Sequence, residues 1–222
     1  MNKIFILLMI LLCHFLIIGT INGQEDTPRF LFEDTEIMLS GFGGATVLFS
    51  TLGDEFAVSN GGGGALLLNQ KYFIGGYGLG LSTAHYSDCQ NVIDYLEIAN
   101  PKYTFDHGGL WVGYIHQSHR LLHLGSSLKV GWGQIALCDE FYEPFYLEGK
   151  EAKNNIMVFS PQIEAEANFT SWMKVNLGIG YQIVTGIERQ FTLNGVTYDY
   201  YKKEDFNKPY ITIAFLFGWF NQ

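Results

Sequence analysis

Apolar and polar residues alternate through much of this chain, and the alternation is clearest in its second half. Across 156–169, Ile163, Ala165, Ala167 and Phe169 share one face, and Gln162, Glu164, Glu166 and Asn168 share the other. Across 173–186, Met173, Val175, Leu177, Ile179, Tyr181 and Ile183 oppose Lys174, Asn176, Gly178, Gly180 and Gln182. Across 121–137, Leu122, Leu124, Leu128, Val130 and Trp132 oppose His123, Gly125, Ser127, Lys129, Gly131 and Gly133. Period-two spacing places each set on one side of a strand. The same rhythm predicts strands over 37–50, 60–68, 72–85, 103–117 and 209–220. In the last of these, Ile211, Ile213, Phe215, Phe217 and Trp219 alternate with Thr212, Ala214, Leu216 and Gly218, and Phe220 follows.

The connections sort by length. Asn69-Gln70-Lys71, Ser118-His119-Arg120 and Thr170-Ser171-Trp172 are tight, whereas 51–59, 86–102, 138–155 and 187–208 are long. Short turns at one end and long loops at the other are the pattern of outer-membrane barrels. Eight strands enclose a space only just wide enough for side chains. The polar and glycine-rich faces therefore fit the bore, and the apolar faces fit lipid. On the third strand this logic points Gly76, Gly78 and Gly80 inward and Tyr77, Leu79 and Leu81 outward. The expected fold class is all-β: an eight-stranded antiparallel up-and-down transmembrane β-barrel over 37–222.

The N-terminus reads differently. Lys3 precedes a nearly unbroken apolar run from Ile4 to Ile18, and Gly19-Thr20-Ile21-Asn22-Gly23 follows. That is the layout of a secretory signal peptide over 1–23, with 24–36 a periplasmic N-terminal segment. The apolar run is short for a membrane anchor, which needs about 20 residues. Cys13 follows Leu11-Leu12, which lacks the small residue of a lipoprotein signal.

Composition narrows the picture. The 26 glycines come with 16% aromatics and only five prolines, which excludes a disordered chain. The net charge is −9, and removal of Lys3 makes it −10, so neither nucleic acid nor an anionic membrane surface is an expected partner. Cys89 and Cys138 remain after export, an even pair compatible with one disulfide tying two long loops together.

The candidate chemistry lies first in the bore. Glu164, Glu166, Lys129 and Lys174, with Asn168 and Asn176, are expected to form a polar network whose charges pair. A structural plug is the leading reading of it; acid–base chemistry and a narrow ion path are the alternatives. His116-Gln117-Ser118 resembles the His-x-Ser pair of outer-membrane lipid A deacylases, but His119 follows where those enzymes have Asn, and the predicted turn is periplasmic. His116, His119 and His123 straddle a turn with alternating faces, so no metal is expected there. Asp139-Glu140-Phe141-Tyr142-Glu143-Pro144-Phe145-Tyr146 and Tyr198-Asp199-Tyr200-Tyr201 give the long loops an acidic, aromatic surface. Such a rim is simply solvated, or meets a protein, a glycan or lipopolysaccharide bridged by divalent cations.

Several stretches resemble an uncharacterised Gly-rich outer-membrane β-barrel family of Bacteroidota. They are Gly61 to Gly64, Phe73 to Leu79, Gly108-Gly109-Leu110, Leu121 to Leu124, Pro161 to Asn168, Leu177 to Tyr181 and Phe217 to Phe220. The closing strand also resembles the aromatic signal that barrel-assembly machinery reads, though Asn221-Gln222 follow the final aromatic. The resemblance implies a barrel in the outer membrane of a Gram-negative cell and brings no established activity. The expectation is a non-enzymatic barrel without cofactor or metal, structural, envelope-stabilising or acting through its loops. Its surroundings would be outer-membrane lipid and lipopolysaccharide, with barrel-assembly machinery engaged during insertion. A lipid-modifying enzyme, an accessory subunit of a secretion or assembly complex, and a narrow channel are the alternatives.

Overall fold

The computed structural model describes residues 37–86, 101–138, 146–147, 150–151, 153–187, 190–193, 196–199 and 202–220. The expected signal peptide over 1–23, the segment 24–36, Cys89, and therefore the Cys89–Cys138 pairing, lie outside the described residues. So do most of the acidic loop that opens at Asp139 and the pair Tyr200-Tyr201.

Eight long strands run in order: β1 Leu39–Leu52, β2 Glu55–Leu68, β3 Tyr72–Leu81, β4 Lys102–His116, β5 Leu122–Cys138, β6 Lys153–Asn168, β7 Met173–Tyr181 and β8 Pro209–Gly218. Beyond Gln182, β7 resumes as Ile183–Thr185 and keeps its register on β6, at a height where β8 has not yet begun. Each strand pairs antiparallel with its sequence neighbour, and β1 pairs with β8. The sheet is a closed barrel.

Its stagger follows from the registers. Starting at Leu39, the paired positions are Leu68, Tyr72, Tyr114, Ser126, Ile163, Ile179 and Ile211, returning to β1 at Phe49, ten residues along. With a rise of about 3.3 Å per residue and strands about 4.8 Å apart, that offset over eight strands tilts them by roughly 40°.

The turn between β1 and β2 is a correction to the sequence reading. The expected connection over 51–59 is only Gly53-Asp54, because β2 begins at Glu55. Gly53 sits at φ +58°, a left-handed turn that glycine enters without steric cost. The strands extend because Ala57 and Ser59 still find buried places inside the barrel while Phe56 faces out. The connections leaving β3, β5 and β7 are the long ones, so their end is the extracellular one.

The wall is apolar around its circumference: Leu66, Ile74, Leu110, Leu124, Ile163, Leu177, Ile179, Ile211 and Phe215 are all exposed. Aromatics collect near both ends. Tyr72 with Tyr114 and Trp172 with Phe217 lie toward the short turns, and Phe49 with Phe56 toward the long loops. In water this surface would be an aggregation hazard, and in lipid it is the required one.

A second correction concerns β3. Phe73, Tyr77 and Leu79 are buried in the bore, Leu81 is half-buried against the apolar layer at the mouth, and Gly76 and Gly78 are exposed on the wall. Size matching decides the orientation. Tyr77 lies between Gly63 and Gly109, Phe73 is paired with Gly113, and Trp111 with Gly75. A Cβ on Gly113 would overlap the Phe73 ring, and one on Gly131 would overlap the Tyr77 hydroxyl. Each large ring thus occupies space that inward-facing glycines on neighbouring strands leave open.

Candidate functional site

The polar side of the bore is built by β5, β6 and β7. Alternation on these strands turns His123, Ser127, Lys129, Gln162, Glu164, Glu166, Lys174 and Asn176 inward, and all eight are buried. The barrel registers bring them side by side: His123 is paired with Glu166, and Glu166 with Asn176.

The two carboxylates are held by donors. Asn176 Nδ2 donates to Glu164 Oε2 at 2.7 Å and to Glu166 Oε1 at 3.1 Å, bridging them. Glu164 Oε1 also accepts from Gln162 Nε2 at 2.9 Å and from the Ser127 hydroxyl. Glu166 Oε2 meets His123 Nε2 at 2.9 Å and Lys174 Nζ at 3.5 Å. Lys129 Nζ donates to Gln162 Oε1 at 3.3 Å, so it reaches Glu164 through an amide rather than directly. The result is one continuous chain from His123 to Lys129.

Proton placement at one end follows from donor and acceptor types. His123 Nδ1 lies 3.0 Å from the Arg120 carbonyl, which can only accept, so Nδ1 carries hydrogen. The contact between Nε2 and Glu166 Oε2 then needs a hydrogen on one of the two atoms.

Of the residues expected in this network, Glu164, Glu166, Lys129, Lys174 and Asn176 are brought together. Asn168 is not. Its Nδ2 donates to the carbonyls of Ser118 and Arg120 at 2.9 and 2.8 Å, fastening the turn between β4 and β5. His123, Ser127 and Gln162 are the members that sequence reasoning missed. Their faces were legible from alternation, but attention to formal charge passed over the neutral donors. His116 points outward beside Tyr114, away from His123. Among the described residues no three side chains are grouped to hold a metal.

Both ends of the bore are covered. At the short-turn end the Phe220 ring lies 4.5 Å from Lys174 Nζ and packs on Phe42. At the long-loop end Phe105, Ile135, Leu137, Ile156, Val158 and Val184 form an apolar layer, completed by Phe206 from the short helix α1, Lys203–Phe206. Hydrogen bonds hold α1 down. Gln182 Nε2 donates to the Phe206 carbonyl at 3.2 Å, Gly53 N donates to the Asp205 carbonyl at 3.1 Å, and Val184 N donates to Asn207 Oδ1 at 2.7 Å. Burial pushes the Asp205 carboxyl above its ordinary pKa, while Lys202 and Lys208 pull it back. The cavity beneath Phe206 measures about 20 Å³, room for about one water.

No protein-family model matches this chain, and no curated protein matches it. Among solved structures, Neisserial surface protein A (NspA) is 6% identical, with a TM-score of 0.49 over 82% of this chain and 97% of its own. A major outer membrane protein from Thermus thermophilus is 8% identical, with a TM-score of 0.49 over 81% and 98%. Ail, the attachment invasion locus protein of Yersinia pestis, is 9% identical, with a TM-score of 0.44 over 82% and 96%. The fold rests on the strand registers, and the location on the wall. A closed barrel satisfies its backbone hydrogen bonds without water, and this one presents apolar side chains all round, with aromatics toward both ends. The chain is an outer-membrane β-barrel.

Proposed function

We propose that the barrel body is non-enzymatic, a structural and envelope-stabilising element whose extracellular loops meet partners. The observation that carries this reading is the filled bore. A chain of hydrogen-bonded side chains occupies its polar side, rings occupy the other, and Phe220 and the Phe206 layer cover the two ends. Glu164 and Glu166 are each engaged by several groups of the protein itself, which supports a plug rather than a substrate site. In this reading the wall sits among outer-membrane lipid and lipopolysaccharide of a Gram-negative cell after delivery by barrel-assembly machinery. The resemblance to Gly-rich barrels of Bacteroidota belongs to the same proposal.

The test joins a conductance measurement to a deletion. The folded protein in a planar bilayer is expected to pass no steady current, and a strain lacking it is expected to become sensitive to detergent until the full chain is restored. Stable single-channel conductance, or a deletion strain as resistant as its parent, would overturn the reading. A gentle-detergent pull-down from native outer membranes then separates an autonomous barrel, recovered alone, from an accessory subunit, recovered with a stoichiometric protein.

A further inference from the structure

One stretch of the outer wall is neither smooth nor wholly apolar. On β4, Phe105 and His107 turn into the barrel, which leaves Asp106 between them on the lipid-facing side. Directly paired residues share a face, so Gly80, Asp106 and Gln134 form one outward row across β3, β4 and β5. The next row toward the short turns is Gly78, Gly108 and Trp132. These residues line a shallow groove of about 520 Å³. Its floor is bare backbone: a Cβ on Gly78 meets nothing within 4 Å, and one on Gly80 would overlap Asp106 Oδ1. The carboxylate therefore leans over Gly80, and the Trp132 side chain, 64% exposed, stands beside it.

Height along the barrel determines what this groove meets. Asp106 lies eight residues up β4 from Tyr114, which stands in the aromatic girdle toward the short turns. At about 3.3 Å per residue and a tilt of roughly 40°, that is about 20 Å, close to the upper edge of an apolar band about 25 Å tall. An exposed tryptophan belongs at the same level, where outer-leaflet headgroups begin. Below it the outward glycines Gly62, Gly76 and Gly78 continue the groove into the hydrocarbon. Among the described residues no side chain donates to the Asp106 carboxylate. A charge at the border of lipid is costly unless it is paired. The chemistry of the groove suits an ammonium. Asp106 offers a carboxylate, Gln134 an amide carbonyl beside it, and Trp132 a ring that attracts a cation.

We infer that this groove binds an outer-leaflet lipid with a primary-ammonium headgroup, of the phosphatidylethanolamine type. The ammonium donates to Asp106 and Gln134 with the Trp132 ring beside it, and an acyl chain lies over Gly78 and Gly62. A phosphatidylglycerol headgroup, which is anionic and brings no cation, is rejected by the same carboxylate. The inference rests on the reading that the wall sits among outer-membrane lipid, and it names the lipid class selected. None of the bore residues takes part.

The experiment places the full folded barrel in vesicles of phosphatidylethanolamine and phosphatidylglycerol, equal in amount and matched in acyl chains. After mild detergent extraction, native mass spectrometry counts the lipids still bound. Phosphatidylethanolamine is expected to be retained at least about 10-fold over phosphatidylglycerol. Asp106→Asn is expected to remove most of that preference, and Trp132→Leu to lower it about 3-fold. Gly78→Val, which fills the floor of the groove, is expected to lower it as well. Asp54→Asn removes the same charge from the exposed turn between β1 and β2 and is expected to leave the preference unchanged, which separates the groove from overall acidity. Heat-modifiable migration reports folding; should Asp106→Asn misfold, Trp132→Leu and Gly78→Val decide. Equal retention of the two lipids, or a preference that Asp106→Asn and Asp54→Asn change alike, would overturn the inference. So would a bound protein that Asp106→Asn releases while lipid retention stays the same. Conductance of the same preparation tests the plugged bore separately, so failure of one reading is not failure of the other.

Discussion

The two sides of the bore solve one packing problem by different means. On β1 to β4 and β8 the interior is Phe42, Phe73, Tyr77, Trp111 and Leu216, with Phe42 edge-on to both Phe73 and Trp111 at centroid distances of 5.4 and 5.5 Å. On β5 to β7 it is a chain of charged and amide groups that satisfy one another. The apolar side depends on volume, since each ring needs a glycine across from it. The polar side depends on donor and acceptor count, because a buried charge without a partner is costly. The sides meet where Lys129 lies 5.2 Å from the Trp111 ring. A defect should therefore act differently on each: removing a charge strands its partners, whereas removing a ring leaves a void.

The largest effect is expected on the polar side. Glu166→Ala leaves Lys174 and His123 without their carboxylate and is expected to cost about 3–5 kcal/mol, read from urea-dependent loss of heat-modifiable migration. Replacing the pair together, Glu166→Leu with Lys174→Met, should recover most of that loss, because the uncompensated charge goes with it. If the double substitution costs as much as the single one, the network contributes more than mutual neutralisation.

On the apolar side Trp111→Ala is expected to cost roughly 3 kcal/mol by opening a cavity. Its effect should differ from that of a charge deletion in being relieved by an apolar filler at a neighbouring position.

A smaller contrast tests the orientation of the glycines. Gly113→Val drives a side chain into Phe73 and should cost about 1–3 kcal/mol. Gly78→Val adds bulk on the outer wall, where a Cβ meets nothing within 4 Å, and should change stability by less than about 0.5 kcal/mol. Equal effects would restore the opposite orientation of β3.

The smallest effect concerns α1 above both sides. The folded Asp205 carboxyl sits above its ordinary range, so its contribution to stability is full at low pH and is lost as pH rises through the folded value. Asp205→Asn should flatten the fall of the melting temperature as pH rises above about 4, with little change at the acid end.

Alternation and connection lengths determined the strand number, the closure and the inward faces of β5, β6 and β7. The reason is that a Lys or Glu cannot face lipid cheaply, so the polar residues declare the side. On β3 the choice lay between glycine and aromatic residues, both tolerated by lipid and by the bore, and sequence polarity had nothing to weigh. Only the registers decided it, by placing Gly63 and Gly109 beside Tyr77. Tertiary structure also decided which neutral donors complete the charged network, since Gln162 and Ser127 meet Glu164 across strands. Asp106 and Trp132 lie on different strands, and it is the register of β3, β4 and β5 that sets both beside Gly78 and Gly80 in one groove. Facing can be read from one strand's own alternation, but partnership depends on register between strands, which no single strand encodes.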